Sequence, residues 1–146
     1  ITILNPAPAQ PLGENILKLC DFVTPNEIEA EQITGIPVKS VSNAEVAADK
    51  LLEKGASAAV ITLGEQGALF KDSKQIIHQP SFQVGPIVET TGAGDAFNGG
   101  LAVALAEEMP IDKALRFACA TASISVTRPG TAPSMPDRNE IDTLIT

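Results

Sequence analysis

Ala58-Ala59-Val60-Ile61-Thr62-Leu63-Gly64 is the stretch on which the fold turns. It carries no charge and ends on glycine, the pattern of a strand buried on both faces inside a helix-covered parallel sheet. Upstream, Ala44, Ala47, Ala48, Leu51 and Leu52 recur at helical spacing, in a helix expected to begin at Ser42 and stop at Gly55. Before it, Asp21–Thr24 reads as a brief strand. Asn26 then caps a helix that runs to about Thr34 and stops at Gly35 and Pro37. Ile1–Leu4 reads as a strand, Asn5-Pro6-Ala7-Pro8-Ala9 as a rigid loop, and Gly13–Leu19 as a short helix. Downstream, Gly64 and Gly67 bracket a turn into a strand at Ala68–Lys71, with Gln75–Gln79 as its hairpin partner. Helices are expected after the small residues at Gly92, over Ile111–Val126, and over Asp137–Ile145. Strands alternating with helices give an α/β fold with a largely parallel sheet flanked by helices, which binds ligands at the carboxyl ends of its strands.

The 146 residues amount to one domain with one hydrophobic core. Hydrophobic residues make up 44% and charged residues 19%, which excludes general disorder. No apolar run is long enough for a membrane span. The net charge of −8 disfavours nucleic acid, and the absence of Trp and Tyr removes the usual base-stacking platforms. One histidine, His78, supports neither a His-rich metal site nor a Ser-His-Asp triad; it reads as a strand-end polar residue. Cys20 and Cys119 lack CxxC spacing and read as reduced thiols of a cytoplasmic protein. Ile1–Leu4 has the character of the end of a buried strand, so the chain is expected to be part of a longer protein.

The chemistry concentrates in Glu89-Thr90-Thr91-Gly92-Ala93-Gly94-Asp95-Ala96-Phe97-Asn98-Gly99-Gly100. Small residues ahead of a helix let the amides of Gly92, Ala93 and Gly94 converge on one oxyanion, reinforced by the helix dipole. Asp95 enters in the first turn beside that anion site. A carboxylate there would repel a phosphate that was merely bound. It is useful if it orients and deprotonates a hydroxyl that attacks a phosphoryl group. Neither the P-loop nor the Gly-x-Gly-x-x-Gly pattern fits, because no lysine follows Gly99 and position 97 is Phe97. The plain alternative is a glycine-rich loop with Asp95 as a helix-start acid and Gly99/Gly100 for close packing.

Thr90-Thr91-Gly92-Ala93-Gly94-Asp95-Ala96-Phe97-Asn98-Gly99-Gly100 resembles the C-terminal signature of the ribokinase (PfkB) family of carbohydrate and nucleoside kinases. Asn5–Ala9, Thr24-Pro25-Asn26-Glu27, Glu29-Ala30-Glu31, Thr62-Leu63-Gly64 and the Val126–Ser134 string occur in the matching order. The resemblance covers nearly the whole chain and corresponds to the C-terminal half of such a kinase. It implies a three-layer, Rossmann-like ribokinase-type fold. It also implies ATP-dependent phosphorylation of D-ribose to D-ribose 5-phosphate by a longer chain, with the 146 residues alone inactive.

Residue by residue, it makes Asp95 the catalytic base and Gly92, Ala93 and Gly94 the anion hole. Asn26 and Glu29 match an Asn-x-x-Glu element that acts with Mg²⁺ and phosphate, although by themselves the pair is explained as a helix cap and a first-turn acid. Thr62, Gly64 and Gly67 match a nucleotide-contacting turn, or form a plain one. Cys119 falls near the expected adenine, or is a buried structural thiol. Glu89, Thr91, Ser125, Arg128, Gly130 and Ser134 match a monovalent-cation site, with K⁺ the usual ion. Glu89 stands where aspartate is usual and could instead be a solvated loop acid. The implied partners are ATP and a small sugar, with no nucleic acid and no membrane, and a homodimer of the full-length protein is one allowed assembly. Another sugar, sugar-phosphate or nucleoside kinase of the family, or a non-catalytic nucleotide-binding module, remains the alternative.

Overall fold

The computed structural model describes residues 1–13 and 15–146, which form two compact units, residues 1–78 and 79–146. In the first, strands β1 (Ile3–Leu4), β2 (Phe22–Val23), β3 (Ala58–Thr62), β4 (Ala68–Asp72) and β5 (Ile76–Gln79) lie side by side in chain order. β1, β2 and β3 are parallel, and β3 meets β4 antiparallel with Ala58 opposite Asp72 and Thr62 opposite Ala68. The sheet is therefore mixed: a parallel core extended by the 68–79 hairpin. A two-stranded hairpin reverses direction by construction, whereas each parallel step needs a crossover.

The β1–β2 crossover is a loop with a short 3₁₀ turn, and the β2–β3 crossover carries both α1 (Glu27–Thr34) and α2 (Val41–Glu53). The Asn26 side chain accepts the Glu29 amide and the Glu29 carboxylate accepts the Asn26 amide, each at 2.9 Å; Gly35 closes the helix with φ 77°. α2 starts before the Ser42 position read from sequence, because the hydroxyl of Ser40 accepts the Asn43 amide and becomes the cap. Its Ala44, Ala47, Ala48 and Leu51 stripe is fully buried with Ala59, Ile61 and Leu69 of the sheet. On the other face Val60 pairs with Phe70, whose ring lies 6.4 Å from that of Phe22. β3 is thus buried on both faces, as its composition predicts. The helix expected over Gly13–Leu19 is corrected to a 3₁₀ turn at Leu17–Leu19; Glu14, within that span, lies outside the described residues.

The second unit is helical, with α3 (Ala93–Ala106), α4 (Ile111–Ser125) and α5 (Arg138–Ile145). α3 and α4 approach closely at Gly100, where a Cβ would stand 2.6 Å from Thr121 Oγ1 and 3.0 Å from Ala118 Cα. Gly99, by contrast, faces open space, so close packing accounts for only one of the two glycines. α5 is fixed to α4 by buried Ile141 and by Arg138, whose guanidinium lies over Phe117 and pairs with Glu107 and Asp142. Among the described residues no helix is long and apolar enough to cross a membrane.

Candidate active site

Asn26, Glu29, Thr62 and Gly64 meet at the carboxyl ends of β2 and β3. The Thr62 amide donates to the Pro25 carbonyl at 3.0 Å, and Asn26 and Thr62 form a parallel bridge beyond the strands. The side chain of Glu27 reaches the open side of Gly64, 3.8 Å from where its Cβ would be. This is the edge of a parallel sheet where helix N-termini and strand ends leave backbone donors facing a ligand. The turn that follows has φ 52° at Gly64 and 91° at Gly67, so its backbone requires glycine at both positions. It closes on itself through the Leu63 amide on the Gly67 carbonyl, and His78 Nε2–H donates to the Gln66 carbonyl at 2.7 Å. His78 therefore ties the hairpin to the turn. Glu29 is buried, with one carboxylate oxygen held by the Asn26 amide. The capping explanation of the pair is realised in full.

The Gly92–Asp95 segment opens the second cluster. Gly92 adopts φ 82° as the N-cap of α3 and offers no side-chain cap. Its carbonyl takes the first helical bond, from the Ala96 amide at 2.9 Å, while the Ala93 amide donates to the Thr90 carbonyl at 3.1 Å. The amides of Gly92, Gly94 and Asp95 donate to no acceptor among the described residues. Helix starts normally have such donors covered by a side chain. Here they are uncovered at the positive end of a 14-residue helix. The Asp95 side chain is exposed and makes no hydrogen bond or ion pair among the described residues. Gly94 has no positive φ, and nothing lies within 4 Å of its missing Cβ. Neither conformation nor packing requires glycine at this position. Asn98, one turn on, donates to the Gly94 carbonyl at 2.9 Å and steadies the turn.

The loop after α4 runs directly beside this segment. The amides of Val88 and Glu89 both donate to the Val126 carbonyl, at 2.8 and 3.2 Å. Glu89 Oε2 accepts the Gly130 amide at 2.8 Å, and Thr131 Cγ2 sits 3.2 Å from the Cβ position of Gly92. Glu89 is thus a bonded residue, not a solvated loop acid. Ser125 and Ser134 are buried, their hydroxyls donating to the carbonyls of Ala122 and Thr131. The Arg128 guanidinium turns to Glu140 of α5, which holds the Glu140 carboxyl below its ordinary range. Thr91 is exposed next to Gly92. The loop gathers hydroxyl, carbonyl and carboxylate oxygens, a donor set that suits a hard monovalent cation.

Cys119 stands apart. It is buried in α4 with its thiol directed at the Gln79 carbonyl, and burial pushes it up to about 12. Its side chain behaves as packing. Two residues that sequence reading passed over hold the second cluster together, Thr131 and Glu140. The second was legible, because Asp137-x-x-Glu140 is a capping-box pattern, and that box forms.

The family model for pfkB family carbohydrate kinases matches residues 1–138. The chain is 45% identical over 140 residues to a ribokinase of Haemophilus influenzae, covering 94% of this chain and 45% of that protein. It is 41% identical over 135 residues to a deoxyribokinase of Salmonella typhi, covering 92% of this chain and 44% of that one. The structure of Arabidopsis thaliana ribokinase complexed with ribose and ATP superposes with a TM-score of 0.93 at 33% identity, covering 98% of this chain and 46% of the other. The chain spans just under half the length of these relatives.

Proposed function

The chain belongs to the pfkB family of carbohydrate kinases, and we propose that it is the phosphoryl-transfer portion of an ATP-dependent ribokinase. In this reading the complete protein transfers the γ-phosphoryl group of ATP to the 5-hydroxyl of D-ribose. The observation that carries it is Asp95, exposed in the first turn of α3 and without a partner among the described residues, next to amides that are likewise uncovered among them. A carboxylate beside an anion site favours proton abstraction from a hydroxyl over simple anion binding.

Asp95 accepts the proton of the attacking sugar hydroxyl. The amides around Gly92 and Gly94, with the α3 dipole behind them, neutralise charge growing on the transferring phosphoryl oxygens. Open space at Gly94 lets those oxygens come close to backbone. Asn26, Thr62, Gly64 and Gly67 line the nucleotide's approach at the strand ends, and Cys119 supports its helix from within. Mg²⁺ would be held chiefly by the nucleotide's phosphates and water, with the Glu29 carboxylate in its surroundings. Bound there, it supplies charge neutralisation. A monovalent cation would be held by oxygens of Thr91, Ser125, Arg128, Gly130 and Ser134, with the Glu89 carboxylate, bonded to the Gly130 amide, beside them rather than among them. The two buried free thiols fit a reducing, cytoplasmic setting.

The test is a substrate panel on the complete protein with ATP: D-ribose, 2-deoxy-D-ribose, fructose, a sugar phosphate and a nucleoside. Ribose is expected to have the highest kcat/KM. The deoxyribokinase relative gives 2-deoxyribose a specific claim as second reading. ATP binding with no turnover on any of them would refute the kinase assignment.

A further inference from the structure

We propose that Glu89 is a positioning residue, a clamp whose carboxylate holds the 126–134 loop against the N-terminus of α3 and so fixes the uncovered amides there. The proposal rests on the kinase reading for its catalytic consequence, and on the fold alone for its mechanical one.

The loop has few other ties to that segment. The Val126 carbonyl anchors its root by accepting the Val88 and Glu89 amides. Farther along, Glu89 Oε2 takes the Gly130 amide at 2.8 Å, the one side-chain hydrogen bond between residues 86–95 and the loop among the described residues. Gly130 holds φ 85°, with Pro133 Cδ 3.4 Å from its Cβ position, so the amide is presented by a turn with little freedom. The next residue, Thr131, has its methyl group 3.2 Å from the Cβ position of Gly92. Gly92 in turn sets the left-handed start of α3. A continuous path therefore joins the Glu89 carboxylate, Gly130, Thr131, Gly92 and the free amides of Gly94 and Asp95. The loop's opposite side is fixed independently, by the fork of Arg128 on Glu140.

Side-chain length matters here. An aspartate would end roughly 1.5 Å short, the length of one carbon–carbon bond, and would leave the Gly130 amide unreached. The extra methylene is what places Oε2 on it. The amide hydrogen also sets the positive end of its dipole against that oxygen, which disfavours a cation on the same atom. In this chain the carboxylate serves the loop first.

Glutamine separates clamp from ion ligand, because its amide oxygen still accepts the Gly130 N–H while the charge is gone. Hydrogen exchange at Gly130 is measured on the ligand-free complete protein, together with steady-state kinetics, for Glu89→Gln and Glu89→Ala. The alanine variant should lose about 10- to 100-fold protection at Gly130, the equivalent of one hydrogen bond to a charged group. Its kcat should fall by about 100-fold, the effect of a displacement near 1 Å, with the KM for sugar unchanged. Glu89→Gln should restore both. Unchanged protection at Gly130 in the alanine variant overturns the clamp. So does a glutamine variant that matches alanine and needs far more K⁺ for activity, the behaviour of an ion ligand. Exchange needs no turnover, so failure of the clamp is distinguishable from failure of the kinase assignment.

Discussion

Replacing Gly92 and Gly94 by alanine, one at a time, separates what the fold requires from what the chemistry requires. The two positions lie either side of the first residue of α3, and each substitution adds one methyl group. At Gly92 the backbone sits at φ 82°, where an L-residue is disfavoured by roughly 1–2 kcal/mol. The new Cβ would also press on Thr131, 3.2 Å from Cγ2 and 3.3 Å from Cβ, so the loop must yield slightly. At Gly94 the φ is ordinary and nothing lies within 4 Å. Alanine there should be neutral or gain up to about 1 kcal/mol, the difference in helix propensity. The two variants should therefore differ by about 1–3 kcal/mol, with only Gly92→Ala destabilising. Urea unfolding followed by far-ultraviolet circular dichroism measures this, since the chain contains no Trp or Tyr. Turnover should fall in both. For Gly94→Ala the loss should be about 10²-fold or more, because the methyl occupies the approach to donors of the oxyanion-hole type. The reasoning fails if Gly94→Ala destabilises as much as Gly92→Ala, or if it keeps full activity.

The helix contact at Gly100 gives a parallel pair. Gly100→Ala overpacks against Thr121 and the Ala118 backbone and should destabilise by about 1–3 kcal/mol, whereas Gly99→Ala, in open space, should not; denaturant midpoints compare them. Cys119 should resist a disulfide reagent at pH 8 in the folded protein and react once it is unfolded, because burial raises its pKa to about 12. The folded value lies above the unfolded one. Its contribution to stability is thus complete below the unfolded pKa near 9 and declines as pH rises toward about 12, and Cys119→Ala should flatten that decline. For Glu140 the sign is reversed. Arg128 first, and then the Asp137 amide, lower its pKa, so the stabilisation is present above the ordinary glutamate value and is lost as pH falls through the depressed one. Glu140→Gln should flatten the acid limb of a stability–pH profile.

Much of this was legible because local chemistry and tertiary context agree. Asn26 announced a helix cap with acids in the first turn, and Ala44, Ala47, Ala48, Leu51 and Leu52 announced an apolar stripe, of which all but the half-buried Leu52 are buried. The charge-free run at residues 58–63 announced a strand with no solvent face, and β3 has none. Readings from single residues did less well. Ser42 was a plausible cap, but Ser40 is the residue with extended backbone and a hydroxyl on the Asn43 amide. Gly13–Leu19 lacks a periodic apolar face long enough to hold an α-helix, and among its described residues only Leu17 is buried. At the site, sequence marked Asp95 and the small residues before it, since both have chemical signatures. It did not mark which amides stay free or which oxygen Glu89 engages. Those depend on residues some 40 positions away in the chain, and only folding joins Glu89 to Gly130.

The most direct test of the central claim is Asp95→Asn in the complete protein, with kcat and ATP affinity measured side by side. The side chain is exposed and has no partner among the described residues, so the fold should lose only its favourable interaction with the helix dipole, about 0.3–1 kcal/mol. The account predicts a fall in kcat of about 10²–10⁴-fold, the range of a lost general base, with ATP binding nearly unchanged. Near-normal turnover in that variant would contradict it.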